Sequence, residues 1–162
     1  MVRNARPSDA GRIATIYNHY ISQTIVTFEE SPIESAEMAA RIDDVLAAGL
    51  PFLVVESGGE VVGYAHASKW KGRCAYRFSV EVSAYLHHDV VGRGFGSTLY
   101  QELCPRLADN GFHALIGGIA LPNDASIRLH EKFGFEQVAR FPEVGFKFGR
   151  WIDVGYWQRV LA

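Results

Sequence analysis

The sequence predicts a mixed α/β fold, in which helices flank a central sheet. Segments with apolar residues at helical spacing are separated by short runs rich in β-branched and aromatic residues. Hydrophobic residues make up 48% of the chain and charged residues 21%, a composition typical of a globular core. Because 162 residues suit one domain and no linker or internal repeat interrupts the pattern, we expect a single domain over residues 1–162.

The first half of the chain predicts two helices followed by a β-hairpin. One helix follows the capping pair Ser8-Asp9, and a second runs from Ser31-Pro32 to Gly49. Their apolar faces carry Ile13, Ile16, Tyr17 and Tyr20 in the first, and Met38, Ile42, Val45 and Leu46 in the second. The turn Ser57-Gly58-Gly59-Glu60 then joins strands over residues 52–55 and 61–67.

The second half predicts strands that alternate with two further helices. A long strand is expected over residues 74–86, because apolar and polar residues alternate there. A helix, a strand over 113–121, a helix over 123–133 capped by Asn123, and strands over 135–144 and 151–160 follow. With an opening strand, the predicted order is β-α-α-β-β-β-α-β-α-β-β.

A glycine-rich loop precedes the third predicted helix. Gly92, Gly94 and Gly96 alternate with other residues, and leucines at helical spacing follow from residue 99 to 107. The start of a helix leaves backbone N–H groups free, and glycine lets a phosphate approach them closely. The loop lacks the lysine of a Walker motif and the spacing of a Rossmann motif, so it predicts a phosphate site of a third kind.

The composition argues against several classes of function. The formal net charge is −2 and no basic cluster is present, so we expect no nucleic-acid partner. Residues 1–13 lack the apolar core of a signal peptide, and the longest apolar run, residues 114–121, is too short to span a bilayer. We therefore expect a cytoplasmic protein without a membrane partner, in which Cys74 and Cys104 serve as packing residues.

The segment His87-His88-Asp89 is the one cluster of metal-ligand types. Adjacent histidines in a strand point to opposite faces, and no second ligand cluster with zinc spacing exists. We therefore expect a solvated loop and no metal.

The order of elements and the position of the glycine loop resemble the GNAT acetyltransferase superfamily. Its motif, Gln/Arg-x-x-Gly-x-Gly/Ala, falls on Val91-Gly92-Arg93-Gly94-Phe95-Gly96, with Val91 replacing the usual first residue. Further segments resemble the phosphinothricin and methionine sulfoximine N-acetyltransferase branch. They are Asn18-His19-Tyr20, Trp70-Lys71, Gly94 to Tyr100, Leu121-Pro122-Asn123-Asp124, Arg128-Leu129-His130-Glu131 and Gly145-Phe146-Lys147-Phe148-Gly149-Arg150-Trp151.

The resemblance implies acetyl transfer from acetyl-CoA to an amine, which must first lose its proton. Glu81 is the candidate base, since related enzymes carry a functional glutamate at this place in the strand before the loop. His130 is a second candidate that relays the proton, although a helix histidine that only packs or hydrogen-bonds is a serious alternative. Direct transfer needs no covalent acetyl-enzyme, and neither cysteine has an evident histidine partner.

The resemblance also implies which residues bind the two substrates. The residues expected to hold acetyl-CoA are Ala84, Tyr85, Leu86, Gly92, Arg93, Gly94, Phe95, Gly96, Ser97, Asn123 and Ser126. The residues expected to bind the acceptor are Lys71, Gly72, Arg73, Val82 and Ser83, with Phe28 and Tyr76 as apolar walls. Two cations around Gly72 suit the carboxylate or phosphinate of an amino-acid-like acceptor, whereas the alternative is a solvated loop.

Other functions stay open at this stage. The protein could acetylate another amine, such as a polyamine, an aminoglycoside or a protein N-terminus, although the Lys71/Arg73 pair argues against polycations. A non-catalytic acyl-CoA-binding module is a further alternative, against which Glu81 argues. The late aromatics Phe146, Phe148, Trp151, Tyr156 and Trp157 alternate as strand residues, and in related enzymes the final strands help to form a homodimer.

Overall fold

The computed structural model describes residues 1–162 and confirms the mixed α/β fold. Seven strands form one sheet, and four α-helices pack on its two faces. In chain order the elements are β1 (Val2–Asn4), α1 (Ala10–Gln23), α2 (Ser35–Ala47), β2 (Phe52–Ser57), β3 (Glu60–Lys69), β4 (Ser79–Leu86), α3 (Phe95–Asp109), β5 (Ala114–Ala120), α4 (Asp124–Lys132), β6 (Glu136–Lys147) and β7 (Arg150–Val160). None of the helices combines the length and hydropathy that crossing a bilayer requires.

The sheet has one irregularity that matters for function, at its centre. The strand order is β1-β2-β3-β4-β5-β7-β6, and only β4 and β5 are parallel. These two strands pair over just three residues, from Ser79 opposite Ala114 to Glu81 opposite Ile116. Beyond Glu81 the strands diverge, so the sheet opens between their carboxyl ends.

Two hydrophobic cores hold the layers together, one on each face of the sheet. On one face the α3 leucines Leu99, Leu103 and Leu107 pack against β4 residues such as Val80. On the other face α1 and α2 pack against β2 and β3, and Ile13 is fully buried there. Side chains of β4 therefore alternate between the two layers, which places Glu81 on the α1–α2 side of the sheet.

The strand expected over residues 74–86 is wrong in its first part. β4 begins only at Ser79, residues Cys74–Tyr76 form a 3₁₀ turn, and Phe78 is 50% exposed. The reason is the lack of a partner: β3 ends at Lys69, which pairs with Val80, so no strand lies beside the preceding residues. The alternation of apolar and polar side chains before Ser79 therefore does not indicate a paired strand.

The second helix begins later than expected, and the capping of the first differs. Asn18 holds the backbone of Ile33 with two hydrogen bonds of 2.9 Å, so the chain stays extended until Ser35. Leu46 is exposed rather than on the apolar face. Asp9 does not cap α1 with its side chain; its carboxylate accepts the N–H of Arg6 instead.

The other local predictions are confirmed. Gly58 and Gly59 have positive φ in the turn between β2 and β3, as a two-residue hairpin requires. The side chain of Asn123 caps α4 by accepting the N–H of Ser126 at 3.2 Å. Both final strands exist, although β6 and β7 extend further than expected towards their shared turn.

Candidate functional site

A cavity of about 410 Å³ opens where β4 and β5 diverge, and we call it the main cleft. Its wall is formed by the end of β4, the glycine loop and one face of α4. The lining residues are Tyr20, Val26, Ala84, Tyr85, Leu86, Val91, Gly92, Gly94, Gly96, Ser97, Asn123, Ala125, Ser126, Arg128, Leu129 and Lys132. Nine of the eleven residues expected to hold acetyl-CoA are in this set, so the structure brings them together.

The glycine loop presents free backbone N–H groups to the main cleft. Gly92 and Gly94 have φ of 83° and 88°, in the left-handed region that favours glycine. Thr98 is the first residue of α3 whose amide has a backbone partner, the carbonyl of Gly94 at 3.1 Å. The amides of residues 95–97 are therefore available to an anion, and the positive end of the helix dipole adds to their attraction.

The edge of β4 supplies further donors to the cleft. The amide of His87 donates to the Val62 carbonyl at 2.7 Å, towards β3. Because hydrogen-bonding direction alternates along a strand, Ala84 and Leu86 direct their backbone groups to the opposite edge, where β5 has separated. The hydroxyl of Tyr20 donates to the Leu86 carbonyl from α1, which fixes this edge.

Two expected cofactor residues do not line the cleft, and several unexpected ones do. The side chains of Arg93 and Phe95 lie against each other, with the guanidinium 5.9 Å from the ring centroid. Lys132 was not expected, yet its Nζ donates to Ser97 Oγ at 3.0 Å. The other unexpected lining residues on α4 are Ala125, Arg128 and Leu129. They lie within one helical turn of Ser126, so the helix predicted there could have identified them. Val26 carries no such signal, whereas Tyr20 lies within the Asn18-His19-Tyr20 segment and Val91 is the first residue of the glycine motif.

Glu81 lies at the last residue pair before the strands diverge. Its side chain is half-buried, and its carboxylate accepts no hydrogen bond within the protein. Burial raises the pKa of Glu81, while the positive charge of Lys71 opposes the rise. A carboxylate in this state has the properties required of a general base.

His130 is buried on the opposite face of the sheet, in contact with α3 and β5. Its Nδ1 lies 2.7 Å from the Ser126 carbonyl, which only accepts, so this nitrogen carries the proton. Nε2 therefore accepts from the Tyr100 hydroxyl at 2.9 Å. Burial lowers the pKa of His130, which favours the neutral ring. A side chain at Gly117 would meet this ring at 2.6 Å, so glycine is required there.

Only some of the residues expected to bind the acceptor are exposed, and of these Lys71 is close enough for its charge to act on Glu81. Lys71, Gly72 and Arg73 form the exposed turn after β3, and Lys71 Nζ lies 5.1 Å from the Trp70 ring centroid. The Trp70 ring contacts Tyr156 edge-on at 5.6 Å. This surface, together with Phe28 and Tyr76, is called the acceptor side below.

Three expected acceptor residues occupy different environments. Val82 is 3% exposed and packs in the core with α3, on the face away from Glu81. Ser83 lines a cavity of about 180 Å³ together with His66. Phe28 is partly exposed and packs on β6 at Gly145, where an added Cβ would lie 2.4 Å from its ring.

The histidine pair at the end of β4 does not have the geometry expected of strand neighbours. β4 ends at Leu86 and His88 begins a 3₁₀ turn, so the rings of His87 and His88 stack with centroids 4.4 Å apart. With Asp89 they offer three ligand atoms within 4.8 Å of one another, although His87 Nδ1 already accepts the amide of Asp89. The argument from opposite faces is therefore wrong, and the absence of a metal stays a prediction.

Comparison with known proteins assigns the class of this one. Residues 2–155 match the family described as Acetyltransferase (GNAT) domain, so the chain belongs to the GNAT acetyltransferases and is an N-acetyltransferase.

Its similarity to individual members extends over the full length. It is 43% identical to a phosphinothricin N-acetyltransferase of Alcaligenes faecalis, over 99% of this chain and 82% of that protein. It is 37% identical to an L-methionine sulfoximine/L-methionine sulfone acetyltransferase of Pseudomonas aeruginosa, over 97% and 92%. The fold superposes with a TM-score of 0.96 on a phosphinothricin acetyltransferase of Sinorhizobium meliloti solved with acetyl-CoA, at 39% identity over 100% and 88%.

Proposed function

We propose that this protein acetylates the amino group of a small amino-acid-like acceptor with an acidic head, of the phosphinothricin, methionine sulfoximine or methionine sulfone type. The observation that carries the proposal is the position of Glu81, which lies between the main cleft and the cationic turn at Lys71. The names of the relatives support the same acceptor class.

The main cleft fits acetyl-CoA, which supplies the thioester whose acetyl group is transferred. The free amides of residues 95–97 and the glycines before them suit the pyrophosphate. The edge of β4 at Ala84 and Leu86 suits the extended pantetheine arm and the thioester carbonyl, and Asn123 and Ser126 lie opposite this edge. Lys132 adds a positive charge beside Ser97.

Glu81 removes the proton from the acceptor ammonium, directly or through a water, so that the amine can attack the thioester carbon. The amides on the free edge of β4 then stabilise the oxyanion. Both nitrogens of His130 already have partners, and we assign proton removal to Glu81 alone. The relay through His130 stays a prediction.

The acidic head of the acceptor binds to Lys71 and Arg73, whose side chains are exposed in the turn after β3, and the charge of Lys71 acts on Glu81. Arg73 offers a bidentate fork to a carboxylate or phosphinate, and Lys71 adds a point charge. Phe28 and Tyr76 supply apolar walls for the side chain of the acceptor, and Ser83 shares the face of β4 that carries Glu81.

Further properties belong to the same proposal. Residues 1–162 act as one domain, without a metal and without nucleic-acid or membrane partners, in the cytoplasm. The end of the β6–β7 hairpin exposes Phe146, Phe148 and Trp151, and a contiguous apolar surface of this kind suits a homodimer contact.

The test is CoA release from acetyl-CoA with a panel of acceptors. The panel contains phosphinothricin, L-methionine sulfoximine, L-methionine sulfone, free amino acids and spermidine. Turnover confined to acceptors with an acidic head supports the proposal. Turnover only with spermidine, or binding of acetyl-CoA without turnover on any amine, contradicts it.

A further inference from the structure

Lys147, at the end of β6, is a buried lysine that the mechanism above does not use. Only 1% of it is exposed, although lysines are almost never fully buried unless their charge has partners. Its Nζ donates to the Thr24 carbonyl at 2.8 Å and to the Thr27 carbonyl at 2.7 Å. No carboxylate lies within 4 Å of the ammonium, so backbone carbonyls are its direct partners.

These two carbonyls belong to residues 24–28, which follow α1 and which we call the clamped segment. Its other ties come from α1: the Thr27 hydroxyl is 2.8 Å from the Tyr17 hydroxyl. The next residue, Glu29, is held by Arg41 of α2 through two bonds of 2.7 and 2.8 Å. Lys147 ties this segment to β6, the edge strand at the other end of the sheet from β1.

The end of β6 is shaped to receive the segment at two positions. Gly145 and Lys147 are two residues apart, so they share a face of the strand. Gly145 leaves the space that the Phe28 ring fills, and Lys147 reaches the carbonyls on either side of Val26. The Gly145-Phe146-Lys147 sequence therefore supplies both a notch and a cation for one neighbouring segment.

The clamped segment forms part of the site. Val26 lines the main cleft and also the small cavity that reaches His130. Phe28 is a wall of the acceptor side in the proposed function, on which this step rests. We propose that Lys147 is a positioning residue, which fixes residues 24–28 so that Val26 and Phe28 hold the acceptor against Glu81.

The test compares Lys147→Met, Lys147→Arg and the control Arg140→Met in the full-length protein. Met keeps the length and apolar stem of lysine but removes the donors, and Arg keeps a cation with donors. Arg140 also lies on β6, and it pairs with Asp153 of the same hairpin rather than with the clamped segment. The readouts are amide hydrogen exchange along the chain, the KM and kcat for the acceptor, and the Kd for acetyl-CoA.

For Lys147→Met we expect exchange to accelerate at residues 24–29 and to stay unchanged in α3 and β4. We expect the acceptor KM to rise about tenfold, because displacement of a positioning wall weakens productive binding. The Kd for acetyl-CoA should change by less than about threefold, since the glycine loop that suits its pyrophosphate lies outside the clamped segment. Lys147→Arg should restore most of the acceptor KM, and Arg140→Met should resemble the wild type.

Several results would overturn the inference. Unchanged exchange at residues 24–29, or acceleration spread evenly over the chain, would show that Lys147 does not hold this segment in particular. Local acceleration with an unchanged acceptor KM would show a clamp without a role in acceptor binding. If the wild type acetylates none of the acceptors, the proposed function fails, and local exchange alone then decides whether Lys147 fixes the segment.

Discussion

The main cleft and the acceptor side meet at Glu81, yet they are built from different material. The cleft consists largely of backbone: the amides that open α3, the glycines at residues 92, 94 and 96, and the free edge of β4. The acceptor side consists of side chains from the clamped segment and the turn after β3, and Lys147 of β6 holds the clamped segment. The backbone parts of the cleft lie within residues 84–97, whereas the acceptor side depends on a contact between segments 120 residues apart.

This difference predicts how each half responds to mutation. A site made of amides keeps its function when side chains change, but it requires glycine where φ is positive. A site made of charged and apolar side chains responds directly to their identity. Substitutions on the acceptor side should therefore change which amine is used, whereas substitutions of the glycines should change the affinity for acetyl-CoA.

The largest expected effect is at Glu81, where the two halves meet. We expect Glu81→Gln to lower kcat about 10³-fold, because a positioned general base contributes roughly 10²- to 10⁴-fold. The Kd for acetyl-CoA should stay unchanged, since Glu81 does not line the main cleft. Steady-state kinetics and calorimetric titration with acetyl-CoA measure the two quantities.

The pH profile sharpens this test. Burial raises the pKa of Glu81, and only the ionised carboxylate can take a proton. Wild-type kcat should therefore fall as the pH drops through this raised pKa, and Glu81→Gln should lack that limb of the profile. An unchanged kcat in Glu81→Gln would remove Glu81 from the mechanism.

The same contrast explains how much the sequence could predict. Gly92, Gly94 and Asn123 were predictable, because a glycine pattern and a helix cap are local signals. Arg93 and Phe95 share the loop, but there only the backbone serves the cleft. Their inclusion followed from proximity in sequence, which does not report side-chain direction.

The missed features depend on contacts between distant segments. Tyr20 reaches Leu86 across 66 residues, and Lys147 reaches Thr27 across 120. Residues 74–77 alternate like a strand, yet the structure has no neighbouring strand for them. Pairing partners and packing against another segment are properties of the fold, and neither leaves a local pattern.

The second prediction tests the backbone half. In Gly94→Ala the added Cβ is strained at φ of 88°, and relief of that strain displaces the amides that follow. We expect the Kd for acetyl-CoA to rise about thirtyfold, which corresponds to roughly 2 kcal/mol. The acceptor KM at saturating acetyl-CoA should change little.

Ser97→Ala is the matched control in the same loop. It removes the hydroxyl that accepts from Lys132 but keeps the backbone conformation. We expect its Kd for acetyl-CoA to stay within about threefold of the wild type, because the amide remains. A larger loss in Ser97→Ala than in Gly94→Ala would contradict the backbone description of the cleft.

The third prediction compares two histidines whose ring nitrogens differ in their hydrogen-bond partners. His130, beside the main cleft, has partners on both nitrogens, whereas His66, behind Ser83, has no partner on Nδ1. We expect His130→Phe to lower the free energy of unfolding by about 2 kcal/mol, because the Tyr100 hydroxyl loses its acceptor. His66→Phe should change it by less than about 1 kcal/mol, since Phe keeps the stack on Phe52 and Tyr64. Urea denaturation at pH 7 measures both values.

The dependence on pH gives a second test of His66. Burial lowers the pKa of His66 to about 4, below its ordinary value of 6.5. The unfolded chain therefore binds more protons between these values, so the contribution of His66 is full above pH 6.5 and is lost as the pH falls towards 4. His66→Phe should flatten the decline in stability over this range. An equally steep decline in the variant would show that His66 does not cause it.

The smallest effect is expected at the exposed turn of the acceptor side. Arg73→Gln should raise the KM for phosphinothricin about threefold, because an exposed ion pair contributes roughly 0.2–1 kcal/mol. Both kcat and the Kd for acetyl-CoA should stay within about twofold, since Arg73 lies outside the main cleft.

Arg77→Gln is the control for Arg73→Gln. It removes a nearby exposed cation, whose guanidinium donates to the Cys74 carbonyl and covers the Phe78 ring. A rise in KM that vanishes when the acceptor lacks its acidic group would assign the effect to charge recognition. Equal effects of Arg73→Gln and Arg77→Gln would instead indicate a general electrostatic field, and the acceptor side would then lack a specific site for the head group.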